Sequence, residues 1–278
     1  MSGTAFAIVA AAALLHALWN AMVKASGDRA VTLGLIALGH LILGGIAALF
    51  MPFPGWQAAP FIAASTVIHW AYYWLIFHAY RLGDLSLVYP ISRGVAPVLV
   101  ALGAMVAVGE TLSPAGWAGV LAVSFGVMML AWGELRRDVS GPAAGLALLL
   151  GLVIAAYSVA DGTGARVSDS VGGYIAWLFV CEGFAAAYLL GRRFRSLGGL
   201  GPRPWILGIA GGLASATAYG LAIWAKTIAP FGLVSALRES SVVIAAGIGV
   251  IWFGERPWQA RLLAALVVAA GAGAIALA

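Results

Sequence analysis

Apolar runs of about twenty residues follow one another along almost the whole chain, separated by short joints carrying Gly, Pro and charge. Within each run the apolar residues are continuous rather than alternating, a pattern that predicts helices and not barrel strands. We read ten such spans, at about 4–24, 30–51, 58–80, 86–108, 113–132, 142–160, 171–191, 204–226, 232–253 and 258–278. Turn signals mark the joints: Ser26-Gly27-Asp28, Pro52-Phe53-Pro54-Gly55, Arg81-Leu82-Gly83-Asp84, Ser113-Pro114 and the stretch 198–204. The hydrophilic stretch 133–142 divides the chain into halves of five spans each, 1–135 and 140–278. The predicted fold class is an all-α membrane protein of ten transmembrane helices, forming one integral membrane unit.

The halves repeat. Residues 85–109 match 230–254 without a gap, setting Arg93 over Arg238, Ala101 over Ala246, Gly109 over Gly254 and then Glu110 over Glu255. In the same register Gly126 falls over Gly271, and more loosely residues 17–20 (ALWN) resemble 155–158 (AAYS). An odd number of spans per repeat inserts the second half upside-down, so two inverted five-helix repeats are expected. Such repeats place a site near the bilayer midplane, on their shared pseudo-two-fold axis.

Composition sharpens the class. Of 278 residues, 63% are hydrophobic and only 9% charged, with a mean hydropathy of +1.02, more apolar surface than a soluble core absorbs. The pI near 9.7 would suit nucleic acid, but the bases sit at span ends, so a nucleic-acid partner is rejected in favour of the lipid bilayer. The start, MSGTAFAIVA, lacks the basic stretch of a cleaved signal peptide. A single cysteine, Cys181, rules out an internal disulfide. Loops after odd-numbered spans and their flanks hold eleven Lys and Arg residues, against Arg166 and Lys226 on the other side. That bias predicts odd loops in the cytoplasm and both termini outside. The 37 glycines, with Gly208-x-x-x-Gly212 in span eight, predict close helix approach.

Against this apolar background the ionisable residues inside spans become the candidate chemistry. A guanidinium stays charged at any workable pH and costs roughly 3 kcal/mol at bilayer depth, so it must face a cavity or a partner. Arg93, about 13 Å along its helix from Asp84, is flanked by Pro90 and Pro97, which predict an interrupted helix lining a site. Two arginines at equivalent places in two halves, Arg93 and Arg238, predict one central anion-attracting site; the alternative is helix locking through Glu182 or Glu239. Glu239 points about 100° away from its neighbour Arg238, so the two should not neutralise each other. Glu182, Glu239 and Asp161 are isolated carboxylates suited to carrying protons, or else to static ion pairs. Polar and aromatic stripes at helical spacing add His16, Trp19 and Asn20 in span one, His69 and Tyr73 in span three, and Tyr157 and Ser158 in span six as candidate substrate contacts. His40 and His78 are weaker candidates. Glu110 and Glu255 read as hairpin devices at helix N-termini. No zinc-protease, P-loop, Cys/His metal or nucleophile-elbow motif occurs, so no enzyme activity, cofactor or metal is expected.

With two five-span halves, each closing in Gly-Glu and a Gly/Ala-rich hairpin, the chain resembles the drug/metabolite transporter superfamily, EamA type. GETLSPAGWAGVLAVSFGVMMLAW and GERPWQARLLAALVVAAGAGAIAL carry most of the likeness. HALWNAMVKA, YRLGDLSLVYPISRG and AAYSVADGTGAR look more like a bacterial subgroup associated with phosphonate utilisation. The resemblance implies secondary transport in a bacterial inner membrane, through a cavity formed by spans one, three, four, six, eight and nine. In the organic-phosphate exchangers of that superfamily basic residues of spans four and nine hold phosphate, the spans of Arg93 and Arg238. The expected function is alternating-access movement of a small organic anion or amino-acid-like metabolite. The alternatives are export of neutral or amphipathic metabolites, or a non-transporting membrane partner subunit. Expected partners are the small-molecule substrate and the bilayer, with homodimerisation left open.

Overall fold

A computed structural model describes residues 1–24, 29–82, 85–130, 141–244, 247 and 258–278; among them every regular element is helical. The helices are α1 (Gly3–Lys24), α2 (Arg29–Phe50), α3 (Ala59–Leu82), α4 (Leu85–Val108), α5 (Pro114–Met129), α6 (Gly141–Val167), α7 (Val171–Gly183), α8 (Ala185–Gly191), α9 (Phe194–Leu197), α10 (Pro202–Ile228), α11 (Phe231–Arg238) and α12 (Trp258–Leu277). A 3₁₀ turn, Trp56–Ala58, precedes α3. Glu255, the stretch 133–140 and the predicted ninth span beyond residue 247 lie outside the described residues, as does the side chain of His78.

Seven stretches among the described residues are long and apolar enough to cross a membrane: Gly3–Val23, Val31–Phe50, Val88–Val108, Pro142–Val167, Val171–Gly191, Pro202–Ile228 and Trp258–Leu277. The protein is thus an all-helical integral membrane protein. Helix α3 has the length of a span but falls outside this set, because His69, Trp70, Tyr72, Tyr73 and Trp74 dilute its apolar character. Helix α5, at 16 residues, is apolar but too short to stand in this set. Burial runs opposite to that of a water-soluble domain. Leu49, Phe50, Val106 and Leu277 lie on the outside, while Arg93, Asp161, Glu182, Lys226, Arg238 and Glu239 are buried. Apolar surface turned outward and charge turned inward is the arrangement that lipid selects.

Packing depends on small residues. Helix α2 lies against α7, α8 and α10; α1 lies against α10; α4 lies against α5, α6 and α11; α5 lies against α12. A methyl group on Gly212 would stand 2.7 Å from the Ile36 carbonyl, and one on Gly39 2.7 Å from Gly212 Cα, so the expected GxxxG face of α10 packs directly on α2. Helix α5 meets α12 in the same way, Gly119 against the Gly271 carbonyl and Gly126 against the Ala264 carbonyl.

Two local expectations change. Helix α4 runs unbroken through Pro90 and Pro97, whereas the break falls after Arg238. There Glu239, Ser240, Val242 and Val243 donate to carbonyls three residues back, a tight 3₁₀-type turn that follows directly on the cavity-lining Arg238. Gly109, with φ +67°, ends α4 as a left-handed cap, but Glu110 then serves a different helix from the one that follows it. Its Oε2 accepts the Phe231 backbone N–H at 2.7 Å, capping α11, and its Oε1 receives Arg166 at 2.5 Å. Helix α5 is capped by Ser113 instead, through the Gly116 N–H at 3.1 Å.

Candidate functional site

The helices line one interior cavity. Helix α1 contributes His16, Trp19 and Asn20; α2, His40; α3, His69, Tyr72 and Tyr73; α4, Tyr89 and Arg93; α6, Tyr157; α10, Ser215 and Tyr219; and α11, Arg238. Of the nine residues named above as candidate substrate contacts, Arg93, Arg238, His16, Trp19, Asn20, His69, Tyr73 and Tyr157 line one space; Ser158 does not, and its carbonyl accepts from Lys226. The three candidate proton carriers stand one layer behind it, each bonded to or facing a residue that lines it.

The two arginines differ. Arg93 Nε donates to Glu239 Oε2 at 2.9 Å and its Nη2 lies 2.8 Å from Oε1, an ion pair buried on both sides and held by one charge-assisted hydrogen bond. The same Nη2 donates to His16 Nε2 at 3.2 Å, and Asn20 is held to the His16 carbonyl at 2.7 Å. Arg93 is thus charge-compensated across α4 and the end of α11. Arg238, only 4% exposed, meets no acid among the described residues: its guanidinium lies 5.7 Å from the Tyr219 ring centre and its Nε has no hydrogen-bond partner there. A buried, permanently charged donor without a counter-ion is expensive unless something anionic or polar visits it.

The acids fall into two linked groups. Glu182, fully buried on α7, has its Oε1 2.5 Å from His40 Nδ1 and its Oε2 3.3 Å from His69 Nε2. Asp161 on α6 accepts from Tyr174 at 3.0 Å and from Tyr219, and is hydrogen-bonded by Ser65. Ser65 joins the groups, because its carbonyl oxygen lies 2.9 Å from His69 Nδ1. Rings stack around this axis, with His69 lying on Tyr157 at 4.2 Å and Tyr219 edge-on to Tyr157 at 5.7 Å. Lys226, counted above among the bases at a membrane face, is instead buried, its Nζ donating to the Ser158 carbonyl at 2.8 Å.

Sequence reasoning missed Tyr72, Tyr89, Ser215, Tyr219 and the buried Lys226. A signal existed in span eight, where Ser215, Tyr219 and Lys226 recur at four and seven residues on one face. Tyr89 and Tyr72 carried none, since a tyrosine beside a proline or within an aromatic run reads equally well as packing.

No family profile and no curated protein matches the chain. Among solved structures 28 chains match it. One, described only as the crystal structure of a protein, superposes over 100% of this chain and 98% of its own length, with a TM-score of 0.75 and 21% sequence identity. A likeness at that identity establishes a common fold and nothing further.

Proposed function

We propose that this protein is a ten-span secondary transporter of the EamA type in a bacterial inner membrane, moving a small organic anion or amino-acid-like metabolite by alternating access. The observation that carries the reading is the Arg238 guanidinium, buried on the cavity wall with a free Nε and no acid opposite among the described residues. An anionic group of the substrate supplies the missing counter-charge, and the surrounding rings take its apolar body.

The inverted repeat gives a reason for the asymmetry. Position 119 in the first half corresponds to 264 in the second, and 126 to 271. In the proposed inverted repeat the contacts Gly119–Gly271 and Gly126–Ala264 correspond to one contact taken from either side of the two-fold axis. Under that operation Arg93–Glu239 becomes Arg238–Gly94, and glycine carries no carboxylate. Gly94 cannot be replaced freely, since a side chain there runs into the Ser124 carbonyl at 2.9 Å. One pair is thus closed and its symmetry mate is open for ligand.

The test is a melting-temperature screen of purified protein with benzoate, phenylphosphonate, lactate and phenylalanine, with benzamide as the neutral control. The reading expects at least one anion, and not benzamide, to raise the melting temperature with concentration. Arg238→Ala weakens that binding about 10- to 100-fold, the worth of a charge-assisted hydrogen bond, and Arg238→Lys recovers part of it. An equal response to benzamide, or an unchanged anion response in Arg238→Ala, overturns it in favour of a carrier of neutral or amphipathic metabolites, which the aromatic lining would suit.

A further inference from the structure

We infer that Glu182, His40 and His69 form a proton-binding site in the cavity wall, holding one exchangeable proton between Glu182 Oε2 and His69 Nε2. The argument is one of hydrogen counting. His69 Nδ1 lies 2.9 Å from the Ser65 carbonyl and 3.1 Å from the Ser65 hydroxyl; the carbonyl only accepts and the hydroxyl gives its hydrogen to Asp161, so both contacts place a hydrogen on Nδ1. A neutral His69 then presents a bare Nε2 toward Glu182 Oε2 at 3.3 Å, lone pair against lone pair in a fully buried place. One proton on that line, on either atom, turns the repulsion into a bond. On the other side His40 Nδ1 gives its hydrogen to Glu182 Oε1 at 2.5 Å, so His40 already supplies what Oε1 needs and cannot supply Oε2. Glu182 Oε2 has no hydrogen-bond partner among the described residues, so that proton is what the buried carboxylate lacks.

The site also has a way in. His40 lines the cavity, and its Nε2 has no partner among the described residues. A proton taken up at Nε2 makes an imidazolium whose Nδ1 hydrogen passes to Glu182 Oε1, leaving His40 neutral as the other tautomer; a half-turn of the carboxyl group then brings that hydrogen to face His69 Nε2. The groups facing this site from each neighbouring helix are His40 on α2; His69 and Tyr73 on α3; Tyr157 and Asp161 on α6; Tyr174 and Cys181 beside Glu182 on α7; and Tyr219 on α10. The three acids and histidines are not placed to hold a metal ion.

The charges then suggest a use, which rests on the transport reading. With every histidine neutral, Arg93, Arg238 and Lys226 balance Glu239, Asp161 and Glu182. The shared proton leaves the group one charge positive, which an anion on Arg238 cancels. Proton and anion loaded together restore neutrality in a low-dielectric interior, so the cargo moves with a proton in the same direction.

The proton is tested without any cargo. In protein labelled with ¹⁵N-histidine, held in detergent, four imidazoles are observed. His69 is expected to show a protonated Nδ1 and, near neutral pH, an Nε2 resonance between bare and protonated values. In Glu182→Gln the Nε2 resonance falls to that of a bare nitrogen accepting from the amide, while His16 stays unmoved as a check on folding. A bare Nε2 in the wild type from about pH 9 to about pH 5 overturns the site. The use is tested in proteoliposomes with phenylphosphonate. Glu182→Gln should retain exchange at equal pH on both sides yet lose accumulation driven by a pH difference. Wild-type vesicles that fail to move the probe count against the transport reading, leaving the resonance result to stand alone.

Discussion

Arg93 and Arg238 are the same residue type, equally buried and on one cavity wall, yet they should respond oppositely to removal. Arg93 satisfies Glu239, so Arg93→Ala or Glu239→Ala strands a buried charge. Each should lower stability by about 3–5 kcal/mol, and an Arg93→Met/Glu239→Leu double replacement should recover most of it. Arg238 has no acid in contact with it among the described residues, so Arg238→Ala should melt no lower than wild type while losing the anion response. Melting curves of the four variants in one detergent check this, and a loss in Arg238→Ala as large as that in Arg93→Ala would mean that Arg238 has a structural partner. The presence of both arginines inside the bundle was legible from their isolation in apolar runs. Which of them was paired was not, because that depends on residue 239 reaching across from another helix.

At the level of helices, the interface of α10 with α2 depends on hydrogen-sized side chains at Gly212 and Gly39. Gly212→Val forces backbone apart at a contact with no flexible neighbour and should cost about 1–3 kcal/mol in stability. Gly45 on the same α2 has open space around its Cβ direction, so Gly45→Ala should be neutral or slightly stabilising. The pair of melts separates packing from a general dislike of substitution in α2. Helix existence was well read because long apolar runs in lipid have almost no alternative to a helix. Helix breaks were read less well: two prolines in α4 leave it continuous, while the turn after Arg238 carries neither proline nor glycine at the break. A proline removes one donor, which a packed helix tolerates; the turn at 239–243 is set by tertiary contacts that no local signal announces.

For the molecule as a whole, the proposed ten spans put both ends of the chain on one side. Removing buried Lys226 from the count of surface bases strengthens the bias toward termini outside. In a Cys181→Ala background, Ser2→Cys and Ala278→Cys should both label with an impermeant maleimide on intact spheroplasts. Labelling at one end alone would contradict the ten-span inverted arrangement, and protection of both would turn the molecule over. The low hydropathy of α3 has part of its reason at this scale too, since His69, Tyr72 and Tyr73 look into the shared cavity, while Trp70 and Trp74 lie on the outer surface.

Taken alone, the order of residues determined that this chain lives in a bilayer as helices, that its halves echo one another, and that a few charges must be hidden inside. Those conclusions follow from solvation, since each apolar run and each stranded charge has its transfer cost whatever its neighbours are. Folding in three dimensions decided that Glu239 closes on Arg93 and leaves Arg238 open, that Glu110 caps α11, and that His40, Glu182 and His69 meet. Pairing is a matter of distances between residues on different helices, 146 positions apart for Arg93 and Glu239, and no local pattern of hydrophobicity encodes it.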